Sequence, residues 1–265
     1  MINKNWHNGP NEPLVRKVWF ITGASRGLGL ALVKQLLVRG DKVAATTRFP
    51  ARLAEEIQNC IPTALARNFL SMEVDLSNEF AIAAAIDLTH QTFGRLDVVV
   101  NNAGYTLEGA MEDLAPSDIH QCFTINSTAA MTVMHKAFPY FRQQRSGFML
   151  NISSLSTCAS ATDSCIYAAT KYATMGLSEL MTDEARKFNL SITVVVPAAF
   201  QSGLHAKEYD MLENLHSDDH AATGFILLAE QPAPPPILLV GNNIFIKAEK
   251  PAKNDTSLRL HDSIK

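Results

Sequence analysis

Short apolar runs alternate with stretches of helical periodicity along most of the chain. Residues 18–22 are apolar and lead directly into glycines, whereas residues 28–40 carry apolar side chains at helical spacing. The same alternation predicts further strands at 42–47, 69–75, 96–102, 147–153, 190–196 and 236–240. It predicts further helices at 51–57, 78–93 (opened by Ser77 or Asn78), 117–143, 166–188 and 217–229.

This order of elements predicts an α/β fold. Repeated strand–helix units with right-handed crossovers give a single-domain, Rossmann-like, doubly wound parallel sheet of about seven strands, with helices on both faces. The domain is predicted to span 15–245, after a flexible lead-in over 1–14 and before a C-terminal tail over 246–265. Ligands of such sheets bind beyond the carboxyl ends of the strands, so functional residues are expected there.

Composition narrows the function classes. Of 265 residues, 47% are hydrophobic and 18% are charged, and the net charge of -3 gives no reason to expect nucleic acid or an anionic membrane surface. No apolar run approaches the roughly 20 residues of a membrane-spanning helix. The polar N-terminus does not resemble a secretory signal. Four cysteines without a CxxC spacing indicate thiols in a reducing compartment, so we expect a cytoplasmic protein.

A glycine-rich turn, TGASRGLG, follows the first predicted strand. Its glycines (Gly23, Gly27 and Gly29) allow close approach of the backbone to a phosphate and open a helix whose N-terminus favours anions. The spacing differs from the G-x-G-x-x-G of the standard dinucleotide fingerprint. Its place between the first strand and the first helix nevertheless predicts a nucleotide site.

The end of the second strand bears on which nucleotide binds. A site for NAD usually offers a carboxylate there, but this chain has Thr46, Thr47 and Arg48, and Arg26 lies inside the glycine turn. Two guanidinium groups suit a 2′-phosphate, which favours NADP(H). The alternative is that both arginines are merely exposed residues at helix ends.

Two further strand ends carry candidate cofactor contacts. Asp75, followed by Leu76, could accept a hydrogen bond from the adenine amino group, cap the next helix, or do both. After the fourth strand, NNAG at 101–104 lets the backbone pass close to the cofactor ribose; the alternative is a simple turn.

These motifs together resemble the short-chain dehydrogenase/reductase family. TGASRGLG, NNAG, Asn126, ISS at 152–154, Tyr167-x-x-x-Lys171 and a proline after the sixth strand stand in that family's order and spacing, over about residues 15–200 and loosely to 245. The resemblance implies the strand order 3-2-1-4-5-6-7, NAD(P) binding and metal-free interconversion of alcohols and carbonyls. It also implies a homodimer or homotetramer, formed through the helices at 117–143 and 166–188.

The resemblance also implies roles for individual residues. Tyr167 is the expected general acid/base with Lys171 as its partner, Ser154 binds the substrate oxygen, and the Asn126 backbone holds a water in a proton relay. Ser153 is expected to pack or brace, although an exchange of roles with Ser154 stays open. The expected cofactor contacts are Gly23, Ser25, Arg26, Gly27, Leu28, Arg48, Asp75, Leu76, Asn102, Ala103, Gly104, Tyr167, Lys171, Pro197, Phe200 and Ser202.

The chemistry of the tyrosine–lysine pair agrees with those roles. A lysine four residues after a tyrosine lies on the same helix face, where its positive charge favours the phenolate. A hydroxyl at Ser154 can hold the substrate oxygen beside the phenol and share its developing charge. Tyr172 is an internal contrast, because the residue four positions later is Gly176.

Other candidates carry less weight. His216 and His220 have the i,i+4 spacing of a metal pair but no third ligand nearby in sequence, so no metal is expected. Cys158 and Cys165 flank the catalytic stretch and are interpreted as small packing residues. The resemblance implies possible substrate contacts that could equally be packing residues: Tyr105, Leu107, Leu155, Ser156 and His205.

The chain departs from the family's pattern after the sixth strand. Pro197 is followed by Ala198 and Ala199 rather than glycine, and the substrate loop near 198–216 is short, which suits a bulky substrate or a partner that completes the site. The sequence predicts an NADP(H)-dependent carbonyl reductase for a small or medium-sized organic molecule, such as a secondary metabolite. The alternative is a non-redox protein on the same fold: an isomerase, a cyclase or an NADP sensor.

Overall fold

A parallel sheet organises the molecule. A computed structural model describes residues 16–154, 164–197, 218–241, 244–249 and 259–264. The strands in these ranges are β1 (Val18–Ile21), β2 (Lys42–Thr47), β3 (Phe69–Glu73), β4 (Val98–Asn101), β5 (Gly147–Ile152), β6 (Leu190–Pro197), β7 (Ile237–Gly241), β8 (Ile244–Glu249) and β9 (Arg259–Ile264). They form one sheet in the order β3-β2-β1-β4-β5-β6-β7-β8-β9. Strands β1 to β7 are parallel and confirm the predicted order 3-2-1-4-5-6-7.

Helices cover both faces of this sheet. They are α1 (Gly27–Arg39), α2 (Pro50–Cys60), α3 (Thr63–Ala66), α4 (Glu79–Phe93), α5 (Pro116–Phe123), α6 (Ala129–Gln144), α7 (Cys165–Arg186) and α8 (Asp218–Ala229). Strand β1 is buried on both faces. Trp19 and Ile21 pack in one core with α1 and α8, whereas Phe20 packs in a second core with α4 and α6. Burial on both faces explains why this strand is apolar at every position.

The predicted helix over 117–143 is not a uniform α-helix. Thr124–Thr128 form a π-helical segment between α5 and α6, which we call the π turn. Its closing hydrogen bond runs from the Ala129 amide to the Thr124 carbonyl, one residue further than in an α-helix. Single π-helical turns are frequent at functional sites, and Asn126 lies at the centre of this one.

The sheet continues beyond residue 245, the predicted end of the domain. Strand β8 pairs antiparallel with β7, and β9 pairs antiparallel with β8, so the predicted tail over 246–265 contributes two strands. The seven predicted parallel strands are confirmed, and two antiparallel strands extend the sheet to nine within the described ranges. The sequence Gly241–Asn243 is a turn signal that could have indicated the β7–β8 hairpin.

Candidate active site

The glycine turn packs against the segment that follows β4. Gly23 has a φ of +69°, and a Cβ added there would lie 2.7 Å from the Ala103 Cα. A Cβ on Gly29 would lie 2.5 Å from the Gly23 carbonyl oxygen. Both clashes are with backbone atoms, so neither position accepts a side chain without moving the turn.

Side chains of Thr22 and Asn102 hold these two segments together. The Asn102 side-chain amide donates to the carbonyls of Thr22 and Gly23, both at 3.0 Å. The Thr22 hydroxyl accepts from the backbone amides of Asn102 and Ala103, both at 3.1 Å. The Asn102 side chain therefore braces the glycine turn. The sequence predicts only a ribose contact for Asn102 and gives no signal for Thr22, whose partners are about 80 residues away.

The N-terminus of α1 is left open. Arg26 is its N-cap residue, with an extended backbone and no side-chain capping bond, and the first turn holds no acidic residue. Unpaired backbone N–H groups at a helix N-terminus attract anions, which fits the phosphates of a dinucleotide. Gly27, with a φ of +57°, opens the helix, and the buried Leu28 side chain anchors it in the core.

The predicted 2′-phosphate ligands are exposed. Arg26 and Arg48 are both solvent-accessible, as is Ser25. Among the residues that the structure describes, neither guanidinium forms an ion pair, and Arg48 lies 5.9 Å from the centroid of the Phe49 ring. Both cations are available to a phosphate, and the alternative that they are ordinary surface residues stays open.

Asp75 does not cap the helix after β3. The cap of α4 is Asn78, whose side chain accepts from the amides of Phe80 and Ala81 at 3.0 and 3.1 Å. The Asp75 carboxylate instead accepts from the Ser77 amide and hydroxyl, at 2.9 and 2.8 Å. These bonds, the backbone one first, lower the pKa of Asp75. The capping alternative for Asp75 is therefore wrong, and the adenine contact stays a prediction.

The four predicted catalytic residues are all buried. Ser154 is 8% exposed and follows the end of β5, Tyr167 and Lys171 are 4% and 5% exposed on α7, and Asn126 in the π turn is 2% exposed. The Lys171 ammonium donates to the Ile152 carbonyl at 2.9 Å and lies 5.8 Å from the centroid of the Tyr167 ring. Ser153 is also buried, and its hydroxyl has no partner in the described ranges, so it packs rather than braces.

Tyr172 differs from Tyr167 as the lysine spacing predicts. Its side chain is 53% exposed on the outer face of α7, whereas Tyr167 faces the interior beside Lys171. The single helix α7 thus presents Tyr172 to solvent and Tyr167 to the buried residues around Lys171. Only the buried tyrosine has the surroundings of an acid/base group.

Burial also acts on Lys171. Desolvation lowers its pKa from 10.5 to about 8, so the ammonium form still predominates at neutral pH. A Cβ added to Gly104 would lie 3.2 Å from both the Lys171 nitrogen and the Asn126 side-chain oxygen. Gly104 therefore lets the NNAG backbone pass directly beside the lysine and asparagine.

The Asn126 side chain joins the cluster to the segment after β4. Its oxygen accepts from the Tyr105 amide at 3.0 Å, and its nitrogen donates to the Tyr105 carbonyl at 2.8 Å. The same nitrogen contacts the Thr170 hydroxyl at 3.2 Å and the Cys122 sulfur at 3.4 Å. Burial raises the pKa of the Cys122 thiol, which keeps it neutral. Sequence reasoning missed both Thr170 and Cys122.

Several predicted site residues have no described contact with the Lys171 side chain, and others lie outside the described residues. Leu76 and Ala103 line one small cavity beside Thr22, Pro197 is the last residue of β6, and Tyr105 and Leu107 are partly buried. The candidates outside the described ranges are Leu155, Ser156, Cys158, Phe200, Ser202, His205 and His216, with the lead-in 1–14 and the loop 198–216. Cys165 is exposed, so its interpretation as a small packing residue is wrong. Within the described ranges, no helix is long and apolar enough to cross a membrane.

Comparison with known proteins gives one consistent family. The short chain dehydrogenase family model matches residues 17–213. An oxidoreductase, BOA17, of Botryotinia fuckeliana is 34% identical over 186 residues, covering 70% of this chain and 66% of its own. An oxidoreductase, claN, of Passalora fulva is 36% identical over 185 residues, covering 68% and 81%. The chain spans about two thirds of the length of several such relatives, from 61% to 68%.

Solved structures agree with the sequence relatives. A short-chain dehydrogenase from Streptomyces avermitilis superposes with a TM-score of 0.77 at 26% identity, covering 88% of this chain and 90% of its own. A metagenomic short-chain oxidoreductase in complex with NADP superposes with a TM-score of 0.72 at 27% identity, covering 84% and 96%.

Proposed function

Because the chain belongs to the short chain dehydrogenase family, we propose that it is an NADP(H)-dependent oxidoreductase that interconverts a carbonyl and an alcohol by hydride transfer. The observation that carries this proposal is the buried cluster of Ser154, Tyr167, Lys171 and Asn126 at the carboxyl edge of the sheet. The glycine turn lies at the same edge, so a cofactor bound there would reach the cluster. Reduction of a small or medium-sized organic carbonyl compound is the proposed direction.

The residues present fit a dinucleotide phosphate. The open N-terminus of α1 offers unpaired N–H groups, and Gly23 and Gly29, which lack side chains, keep the turn tight. Arg26 and Arg48 supply two uncommitted cations for a 2′-phosphate. The structural relative in complex with NADP supports the same preference. When bound, the nicotinamide supplies the hydride.

The protein's own residues provide the positioning and the proton. The Ser154 hydroxyl holds the substrate oxygen, and the Tyr167 hydroxyl donates the proton to it as the alcohol forms. The buried Lys171 ammonium favours the phenolate that Tyr167 becomes, and low surrounding polarity strengthens that effect. Asn126 holds the π turn beside Lys171. The proton that Tyr167 gives up is proposed to be replaced there, from a water held by the Asn126 backbone.

The cofactor preference is tested by thermal shift. At equal concentrations, NADPH is expected to raise the melting temperature more than NADH, because only NADPH carries the 2′-phosphate. Equal stabilisation by both would contradict the roles of Arg26 and Arg48. A panel of ketones and aldehydes is then tested for NADPH consumption. Strong NADPH binding with no consumption across a wide panel would favour the non-redox alternative.

We also propose a homodimer or a tetramer built from such dimers. Tyr172 and Leu180 lie about two helical turns apart on α7 and are 53% and 81% exposed. An exposed apolar stripe on a long helix suits pairing with a second copy of the chain. Leu180→Glu is expected to yield monomers in light scattering, and an unchanged mass would contradict this interface.

The cytoplasm is the proposed location. Cysteines that form no disulfide suit a reducing compartment, and Cys60, Cys122 and Cys165 form none within the described ranges. A fluorescent fusion is expected in the cytosol, and its accumulation in a secretory compartment would contradict the proposal.

A further inference from the structure

The π turn is held against α7 by a set of hydrogen bonds that centre on Thr170. The Thr170 hydroxyl accepts from the Asn126 side-chain nitrogen at 3.2 Å and donates to the Tyr167 carbonyl at 2.6 Å. The Thr170 carbonyl accepts from the Ser127 hydroxyl at 2.8 Å. Thr170 is fully buried and lies between Tyr167 and Lys171 in sequence.

The direction of these bonds fixes the Asn126 amide. A hydroxyl has a single hydrogen, and Thr170 uses it on the Tyr167 carbonyl, so only its lone pairs face Asn126. The Asn126 nitrogen must therefore point at Thr170, which is the same orientation that the Tyr105 amide and carbonyl favour. A reversed amide would bring two acceptors together in a buried site.

A second threonine one turn later contacts the Asn126 backbone. The Thr174 hydroxyl lies 3.3 Å from the Asn126 carbonyl oxygen and 3.4 Å from the Thr170 carbonyl oxygen, so its single hydrogen is shared between the two. Thr174 is 5% exposed. Side chain and main chain of Asn126 are thus both tied to the helix that carries Tyr167 and Lys171.

We propose that Thr170 is a positioning residue, which sets the orientation of Asn126 and so the spacing between the π turn, the NNAG backbone and Lys171. This inference rests on the proposed function for its kinetic part. Its structural part concerns only the orientation of Asn126 and holds in the cofactor-free protein.

The test compares Thr170→Val, Thr170→Ser and Thr182→Val. Thr170→Val is expected to lower kcat about tenfold, the effect of one lost buried hydrogen bond, while KM for NADPH stays within about twofold. Thr170→Ser keeps the hydroxyl and is expected to restore kcat. Thr182 lies on the same helix, and within the described ranges its hydroxyl bonds only the Ser178 carbonyl, at 2.9 Å. Thr182→Val is therefore the matched control and is expected to retain kcat.

A second readout needs no turnover. In the cofactor-free protein, hydrogen exchange of the Asn126 side-chain amide, followed by NMR, is expected to be faster in Thr170→Val and close to wild type in Thr170→Ser. Wild-type exchange and kcat in Thr170→Val would overturn the proposal, as would equal losses in Thr170→Val and Thr170→Ser. Should Thr170→Val not fold, Thr170→Cys keeps a weak acceptor, and an intermediate exchange rate is expected. A wild-type protein without hydride transfer would overturn the proposed function but not the exchange result.

Discussion

Charged side chains are exposed at the proposed cofactor end of the site and buried at its proposed catalytic end. Arg26, Arg48 and Asp75 at the cofactor end are exposed, whereas Lys171 and its neighbours at the catalytic end are no more than 8% exposed. Water screens the exposed charges, so they can select a phosphate at little cost to folding. Burial changes the chemistry of Lys171 itself, as its lowered pKa shows. Substitutions at the proposed cofactor end should therefore change cofactor affinity, whereas substitutions at the proposed catalytic end should change kcat and stability.

A similar contrast separates two helices at the same edge of the sheet. The N-terminus of α4 is closed by the Asn78 side chain and has Glu79 in its first turn, whereas that of α1 has neither a cap nor an acid. Both helices follow parallel strands, so the difference does not come from topology. The absence of a side-chain cap and of an acidic residue at α1 agrees with the proposed phosphate site at its N-terminus.

The largest effect that separates the two ends is expected from Lys171→Met. Loss of the buried ammonium should lower kcat about a hundredfold or more, with little change in the affinity for NADPH phosphate groups. Wild-type reductase activity should also fall as the pH rises through about 8, where Lys171 loses its proton. Steady-state kinetics across this pH range check both effects, and a kcat near wild type in Lys171→Met would contradict them.

The same residue predicts a dependence of stability on pH. The pKa of Lys171 is about 8 in the folded protein, against 10.5 for an unperturbed lysine, so between these values the unfolded chain binds more protons. The free energy of unfolding should therefore rise with pH across this window, by up to about 3 kcal/mol from this group. Urea unfolding of the wild type and Lys171→Met should show that the variant lacks this rise. If the free energy of unfolding changed with pH equally in the wild type and in Lys171→Met, this would contradict a lowered pKa of Lys171 in the folded protein.

Gly29→Ala is expected to abolish tight NADPH binding. The added Cβ would overlap the Gly23 carbonyl oxygen, so the turn and the α1 N-terminus must move apart. We expect the dissociation constant for NADPH to rise about tenfold or more by calorimetry, a loss of at least about 1.4 kcal/mol. Gly176→Ala is the control, since a Cβ there meets no atom within 4 Å. Unchanged binding by Gly29→Ala would count against the turn as the phosphate site.

Arg48→Ala should change only the preference for NADPH over NADH. Removing one charge-assisted contact is expected to weaken NADPH binding about tenfold, and leave NADH binding and the melting temperature of the cofactor-free protein nearly unchanged. Arg52→Ala, on α2, is a nearby control without a predicted phosphate contact. Equal losses for the two cofactors would show that Arg48 does not recognise the 2′-phosphate.

The smallest effect is expected at α4. Asn78→Ala removes the cap and should lower the free energy of unfolding by about 1 kcal/mol, with no change in NADPH affinity. Thermal unfolding and calorimetry check the two halves of this expectation. A marked loss of NADPH affinity in Asn78→Ala would contradict the view that α1, and not α4, binds the cofactor phosphates.

The sequence predicted those features that depend on local pattern. Strand β2 has both of its predicted ends, 42–47, because the helix before it ends at Gly40 and the next helical stretch begins near residue 51. Asn78 was one of two expected helix starts, because capping uses amides only two and three residues away.

Features that depend on distant partners were not predicted. The π turn has no composition signal, and the bonds that hold it join Asn126 to Thr170, 44 residues away. The bracing role of Asn102 depends in the same way on Thr22. Tyr167 and Lys171 are predicted as a catalytic pair because their spacing occurs together with the glycine turn, Ser154 and Asn126. The pKa of the lysine, in contrast, depends on burial that only the packed structure supplies.

The central claim is that Tyr167 supplies the proton during hydride transfer, and Tyr167→Phe tests it most directly. The variant is first titrated with NADPH, and then single-turnover oxidation of bound NADPH is followed with a substrate of the wild-type protein. We expect NADPH affinity close to wild type and hydride transfer slower by about 10²-fold or more. Tyr172→Phe, on the exposed face of the same helix, should behave as wild type. Hydride transfer at the wild-type rate in Tyr167→Phe would contradict the account.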